Sequence, residues 1–190
     1  MAGQRAEIRI IGGSWRSRRL PVLADSGVRP TGDRIRETLF NWLQTRIAGA
    51  RCLDLFAGSG ALGFEALSRG AELTTFVDQD IRVIQQLQKN AELLDTPLAD
   101  IRWQQADEFL LQSPPQGKPY DIVFLDPPFR DDMLGICQQW LQERHWLSDT
   151  AFIYMESDCR REFPEPLPGW HVSHDRQAGQ VAYRLLRRGD

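Results

Sequence analysis

The chain has 190 residues, is 42% hydrophobic and 26% charged, and carries a net charge of −3, the balance of one ordinary soluble domain with a sizeable core. No apolar run approaches the roughly 20 residues that span a bilayer, and Met1 to Glu7 lacks the apolar centre of a signal peptide. A cytoplasmic, membrane-free protein is expected. Cys52, Cys137 and Cys159 are widely spaced and odd in number, which suggests neither a zinc site nor a disulfide framework. His171 and His174, three apart in a strand-like segment, are expected on opposite faces, so no metal is expected.

The charge is unevenly spread. Residues 1–36 hold eight arginines against Glu7, Asp25 and Asp33, so a basic N-terminal stretch precedes an acidic remainder. Arginine dominates the basic set, with Lys89 and Lys118 the two lysines, and arginine suits bidentate phosphate contacts and stacking on bases. Glu7 to Ile11, Gly12-Gly13 and Ser14 to Val22 read as a β-hairpin with a glycine turn, its second strand bringing Arg16, Arg18 and Arg19 beside Trp15. Such a hairpin is either a charged, solvated edge or an RNA-contacting arm. Residues 25–32 form a loop, and Asp33 to Ala48 places Ile35, Leu39, Trp42, Leu43 and Ile47 at helical spacing.

From Arg51 the pattern alternates. Strands are read at 51–56, 72–77, 100–104, 121–126 and 150–156, and helices near 60–68, 80–94, 106–112 and 131–143. That alternation implies a parallel sheet with right-handed crossovers. The tail differs: Trp170 to Asp175, Gln-Ala-Gly, and Gln180 to Leu186 read as an antiparallel hairpin. The organisation expected is a basic hairpin and loop over 1–32 and an α/β domain over 33–190.

Ligands of open α/β sheets bind outside the carboxyl ends of the strands. Arg51 to Gly63 reads as a buried strand, a glycine turn and a helix, a geometry that offers main-chain N–H groups to a ligand. Gly58, Gly60 and Gly63 also fit the G-x-G-x-x-G spacing of dinucleotide-binding folds, so the glycines alone are ambiguous. Asp54 within the strand, and Asp126-Pro127-Pro128-Phe129 about seventy residues on, move the reading away from NAD. Together they resemble the first and fourth motifs of the S-adenosylmethionine (SAM)-dependent amino-methyltransferases. An oxidoreductase reading leaves that turn and the basic arm unexplained, and an inert RNA-binding module would not need both motifs.

The fold class expected is therefore α/β, a Rossmann-like (class I) SAM-dependent methyltransferase. It has a mostly parallel seven-stranded sheet, an antiparallel C-terminal hairpin and an N-terminal β-hairpin extension. The cofactor site is expected at Asp54, Ala57, Gly58, Ser59 and Gly60, at Asp78 as acceptor for the ribose hydroxyls, and at Gln105, Ala106 and Asp107 around the adenine. An exocyclic amine on a base is a poor nucleophile. Asp126 and the Pro127 carbonyl can accept from its two N–H groups, Pro128 stiffens the turn, and Phe129 offers a face for the base.

A more specific resemblance rests on Ile10-Ile11-Gly12-Gly13-Ser14-Trp15-Arg16 and on Arg29-Pro30-Thr31-Gly32-Asp33-Arg34-Ile35-Arg36-Glu37-Thr38-Leu39-Phe40-Asn41-Trp42-Leu43. With Asp54 to Gly63 and Asp126 to Phe129, these runs resemble the RsmD family over nearly the full length. The resemblance implies methyl transfer from SAM to guanine N2 of 16S ribosomal RNA in assembled or assembling 30S subunits. It implies an RNA surface including Trp15, Arg16, Arg18, Arg19, Arg29 and Arg34, and a monomer is expected. Many members of this methyltransferase fold have an acid just before the alanine; here that position is Gln105, with Asp107 after the alanine. The turn alone does not specify the base, since enzymes acting on adenine N6 of DNA or on protein glutamine share it.

Overall fold

The structure is a computed structural model that describes residues 6–23, 32–128 and 133–189. Two short strands, β1 (Glu7–Arg9) and β2 (Arg19–Pro21), form an antiparallel ribbon that leads to α1 (Asp33–Trp42). Then follow β3 (Arg51–Asp54), α2 (Ala61–Ser68), β4 (Leu73–Asp78), α3 (Ile81–Leu94), β5 (Ala99–Trp103) and α4 (Ala106–Leu110). The chain continues through β6 (Tyr120–Leu125), α5 (Met133–Glu143), β7 (Leu147–Asp158), β8 (Trp170–Ala178) and β9 (Val181–Arg188).

Seven strands form one sheet in the order β5-β4-β3-β6-β7-β9-β8. The five from β5 to β7 are mutually parallel, and β9 runs antiparallel to both neighbours. The expected parallel sheet with a reversed tail is what forms. The chain enters at β3, winds outward to β5, then returns to β6 on the other side of β3. That reversal opens a crevice at the carboxyl ends of β3 and β6.

Strand alternation divides the core between the two faces. Cys52, Phe76, Ile122, Phe124 and Tyr154 face α1, α2 and α3, while Leu53, Leu55, Val77, Val123 and Leu125 face α4 and α5. Cys52 is wholly buried, as a small hydrophobe in a central strand should be. Every residue of α2 is buried, including Glu65 and Ser68, so this helix is enclosed on all sides. Among the described residues no helix is long and apolar enough to cross a membrane.

Three expectations need correction. The helix expected to run to Ala48 ends at Trp42, and a series of turns carries the buried Leu43 and Ile47 onward. The N-terminal hairpin has no tight glycine turn. Its strands close at Ile10 N–H to Arg18 O (2.9 Å) and Ser17 N–H to Ile10 O (2.8 Å), and the residues between form a loop with Gly13 at φ 76° and Ser17 at φ 71°. Trp15 and Arg16 therefore lie in that loop, and Arg16 and Arg18 do not share a strand face. Finally, the ladder between β8 and β9 slips between Val172 and His174, which pair with Leu186 and Leu185. The extra residue restores His171 and His174 to the same face, where parity alone predicts opposite ones. His174 is stacked on Trp42 at 4.5 Å between ring centres.

Candidate active site

The carboxyl end of β3 builds the glycine loop. Gly58 (φ 48°) and Gly60 (φ 74°) take left-handed conformations that a side chain disfavours. A Cβ on Gly60 would also come within 2.6 Å of Leu87, so neither the backbone nor the space admits another residue. Gly63, one turn into α2, lies so close to β4 that a Cβ there would stand 2.2 Å from the Phe76 ring. Asp54 ties strand to helix: it is buried, and its Oδ2 accepts from Gly63 N–H at 3.0 Å. Ala57 N–H donates to Val77 O at 2.9 Å and Gly60 N–H to Ala57 O at 2.7 Å, which fixes the loop around Ser59.

At the end of β4, Asp78 is half-buried and accepts from Gly58 N–H (2.9 Å) through Oδ2 and from Asp80 N–H (2.8 Å) through Oδ1. Asp80 caps α3, its Oδ1 accepting from Arg82 N–H at 2.8 Å, which leaves Asp78 directed at the loop. At the end of β5, Gln105 is exposed and begins α4 without capping it. Ala106 is half-buried; Asp107 accepts from Glu108 N–H at 2.8 Å. Burial, and secondarily the charge of Asp107, push the Cys137 thiol up to about 12, so Asp107 lies toward α5.

Asp126 follows the last residue of β6, half-buried, with Pro127 buried and Pro128 exposed behind it. Phe129 and Arg29 lie outside the described residues. The three strand-end acids feel one another. Burial drives the Asp54 carboxyl well above the usual range against the Gly63 hydrogen bond, and the charges of Asp126 and Asp78 add to the rise. Asp78 is raised chiefly by burial as well. The crevice thus has an acidic floor under a loop of left-handed glycines. Among the described residues no group of three or more His, Cys, Asp or Glu side chains could hold a metal ion.

The family model described as "Conserved hypothetical protein 95" matches residues 8–187. Over 182 residues the chain is 50% identical to ribosomal RNA small subunit methyltransferase D of Escherichia coli K12, covering 96% of this chain and 90% of that protein. It is 46% identical over 186 residues to the Haemophilus influenzae protein of the same name, covering 96% and 95%. The chain belongs to the RsmD family. Among solved structures, the Escherichia coli protein yhhF superposes with a TM-score of 0.89 at 46% identity, covering 97% of this chain and 99% of that one. SMU.776, solved in complex with SAH, has a TM-score of 0.75 at 15% identity, covering 98% and 57%, a likeness of fold alone.

In this RsmD-family chain the basic loop is docked on the body. Glu65 of α2 accepts from Ile11 and Gly12 N–H, each at 2.8 Å, and Ser14 N–H donates to Ser68 O at 2.7 Å. A Cβ on Gly13 would stand 1.8 Å from Ser68 O, so only glycine permits this seat. Arg18 donates to Leu93 O at 2.7 Å, near the C-terminus of α3. Because α2 and α3 run back from the carboxyl edge, the loop sits toward the amino edge of the sheet. Leu93 lies twelve helical steps from Ile81 along α3, roughly 18 Å at 1.5 Å per residue. Arg19 pairs with Glu7 at 3.4 Å, whereas Arg16 and Arg34 are exposed and form no ion pair among the described residues. Trp15 is half-buried against the core.

Two groups were not singled out from sequence. Arg36, Glu65 and Arg69 form a buried charge network (Arg69 Nε to Glu65 Oε1, 2.7 Å; Arg36 Nη1 to Glu65 Oε2, 3.7 Å) that also takes in Asp33 and Arg9 O. Helical spacing marks Glu65 and Arg69 as an i,i+4 pair but not as buried. Glu156 lies buried on β7, where its Oε1 accepts from Tyr154 Oη at 2.8 Å. Its alternation with Tyr154 in a strand pattern was the available signal.

Proposed function

We propose that this protein transfers a methyl group from SAM to the exocyclic N2 amine of a guanine in 16S ribosomal RNA of the small ribosomal subunit. The observation that carries the reading is the meeting of two strand ends. The Asp126-Pro127-Pro128 turn leaves β6 beside the glycine loop of β3, in a chain half identical to an enzyme named for small-subunit ribosomal RNA methylation.

The residues fit the cofactor. A sulfonium and an α-ammonium are cations, and the crevice floor holds Asp78 and Asp126, whose charges both reach Asp54. The loop from Ala57 to Gly60 would hold the amino-acid half, Asp78 the ribose hydroxyls, and Gln105 with Ala106 and Asp107 the adenine. When bound, the cofactor supplies an electrophilic methyl group. Asp126 and the Pro127 carbonyl accept from the two N–H groups of the target amine, which draws its nitrogen toward sp³ and aims the lone pair. Catalysis then rests on positioning and on water exclusion around an extruded base. The RNA surface includes Trp15, Arg16, Arg18, Arg19, Arg29 and Arg34. Since the loop lies toward the amino edge, the footprint must extend well beyond the reacting nucleotide, as suits an assembled or assembling 30S particle. The protein acts in the cytoplasm as a monomer.

The test is methyl transfer to small-subunit particles from cells lacking this protein, followed by nucleoside mass spectrometry and mapping of the modified position. N2-methylguanosine at one site is expected. Label on another base, on protein, or nowhere overturns the reading.

A further inference from the structure

The guanine-N2 reading leaves one chemical requirement unmet. The Watson–Crick edge of guanine offers three protons to the site, two on N2 and one on N1. Asp126 and the Pro127 carbonyl account for the N2 protons. A buried donor left without an acceptor carries its full desolvation cost, so a third acceptor should stand beside the turn.

The neighbouring strand has one. Parallel pairing sets Phe124 opposite Tyr154 and Leu125 opposite Met155, so the next step along brings Asp126 level with Glu156 at the carboxyl edge. Neighbouring strands lie about 4.8 Å apart, and a purine's N1 and N2 are spanned at that scale. Glu156 is 3% exposed, and Tyr154 Oη holds its Oε1 at 2.8 Å, so the carboxylate has a fixed orientation. The fields agree with this placement. Burial raises the Tyr154 hydroxyl well above its usual range, Glu156 adds to the rise, and so does Asp126, which puts both acids around one ring. On the far side Glu156 pairs with Tyr183 of β9, whose ring stacks on Trp42 at 5.5 Å. On the β3 side the corresponding acid, Asp54, is committed to Gly63 N–H.

We propose that Glu156 is a specificity-determining residue that accepts a hydrogen bond from guanine N1–H, with Tyr154 holding its carboxylate in place. This rests on the guanine-N2 reading above. A carboxylate here selects against any purine with a lone pair at N1, because two acceptors would then face each other. Adenine is such a purine, and so is 2-aminopurine, which keeps the 2-amino group but has no N1–H. Rejection is therefore a matter of N1, independent of whether an amine is present.

The experiment uses particles reconstituted with 16S RNA carrying either guanine or 2-aminopurine at the mapped position, and single-turnover transfer at saturating SAM. The wild-type protein should prefer guanine by about 10–100-fold, the discrimination typical of one good base contact. In Glu156→Gln the amide N–H can donate to N1 of 2-aminopurine, so the preference should fall at least tenfold, with SAH affinity unchanged. Tyr154→Phe, which keeps the carboxylate but loosens it, should reduce the preference in the same direction. The inference is overturned if wild-type protein methylates both particles at rates within threefold, or if Glu156→Gln retains the wild-type ratio. Failure of the underlying reading looks different: the wild-type protein then forms no N2-methylguanosine on the guanine particles.

Discussion

Asp78 Oδ2 accepts a hydrogen bond from Gly58 N–H at 2.9 Å, joining the end of β4 to the glycine loop that leaves β3. The acid expected at the cofactor ribose therefore also shapes the loop expected at the cofactor's amino-acid half. The two tasks are compatible, since each carboxylate oxygen has two lone pairs, and they make Asp78 the joint on which both halves of the site depend.

Asp78→Ala should weaken cofactor binding by at least the roughly 1.5–3 kcal/mol of one hydrogen bond to a charged group, because the loop loses its anchor along with the ribose acceptor. Calorimetry with S-adenosylhomocysteine measures this directly. An unchanged affinity would remove Asp78 from the cofactor site.

Asp54 gives a pH signature. Its folded-state carboxyl is held well above the usual range, chiefly by burial. In the window from about pH 4, where the unfolded chain ionises, up through the raised folded value, the native state binds the extra proton. Stability contributed by that proton is present below the window and is lost as pH rises through it, at up to about 1.4 kcal/mol per pH unit. Asp54→Asn keeps an acceptor for Gly63 N–H without a titrating group. Its stability relative to wild type in urea should therefore rise with pH across the window. A pH-independent difference would contradict the assignment.

The network around Glu65 seats the N-terminal loop. Glu65→Ala removes the carboxylate at 3.7 Å from the buried Arg36, which keeps Asp33 at 2.6 Å, and frees the Ile11 and Gly12 amides. Breaking a buried pair on one side costs about 3–5 kcal/mol. Denaturant unfolding should show a loss of that order, and hydrogen exchange should speed up first at Ile11 and Gly12. Slow exchange at both amides in the variant would show that the loop is held by something else.

Arg16 and Arg34, exposed and without an ion pair among the described residues, test the RNA surface. Arg16→Ala and Arg34→Ala should each lower the log–log salt slope of particle binding by roughly 0.7–0.9, the value for one lost phosphate contact, with SAH affinity unchanged. Equal slopes in variant and wild type would make these residues a solvated edge. Arg18 is a poorer probe, because its guanidinium already serves Leu93 O.

Much of the fold was legible because its signals are local. Buried parallel strands such as Cys52 to Leu55 read as apolar runs, the glycines mark the loop, and Asp126-Pro127-Pro128 marks the end of β6 because proline cannot donate to the ladder. Spacing alone places Asp80 as the α3 cap and Asp78 at the ribose, while the bond from Gly58 N–H to Asp78 is visible only in the structure. What was not legible depends on contacts between distant segments. Gly12-Gly13 between two strand-like runs reads as a hairpin turn, yet Glu65 and Ser68, more than fifty residues away in sequence, hold this stretch as a loop on α2. A single slipped residue in β8 defeated the parity argument for His171 and His174. Beyond its alternation with Tyr154, Glu156 carries no signal in the sequence; its place near Asp126 follows from the register of β6 against β7, which pairs Leu125 with Met155.

Asp126 is the group proposed to hold the target amine. The most direct measurement is single-turnover transfer from SAM to unmodified small-subunit particles by Asp126→Ala, alongside calorimetry with S-adenosylhomocysteine. We expect a fall of roughly 10²–10³ in the rate of N2-methylguanosine formation, on the scale of removing one oriented polar group, with cofactor affinity retained. Transfer within a few-fold of wild type would contradict it.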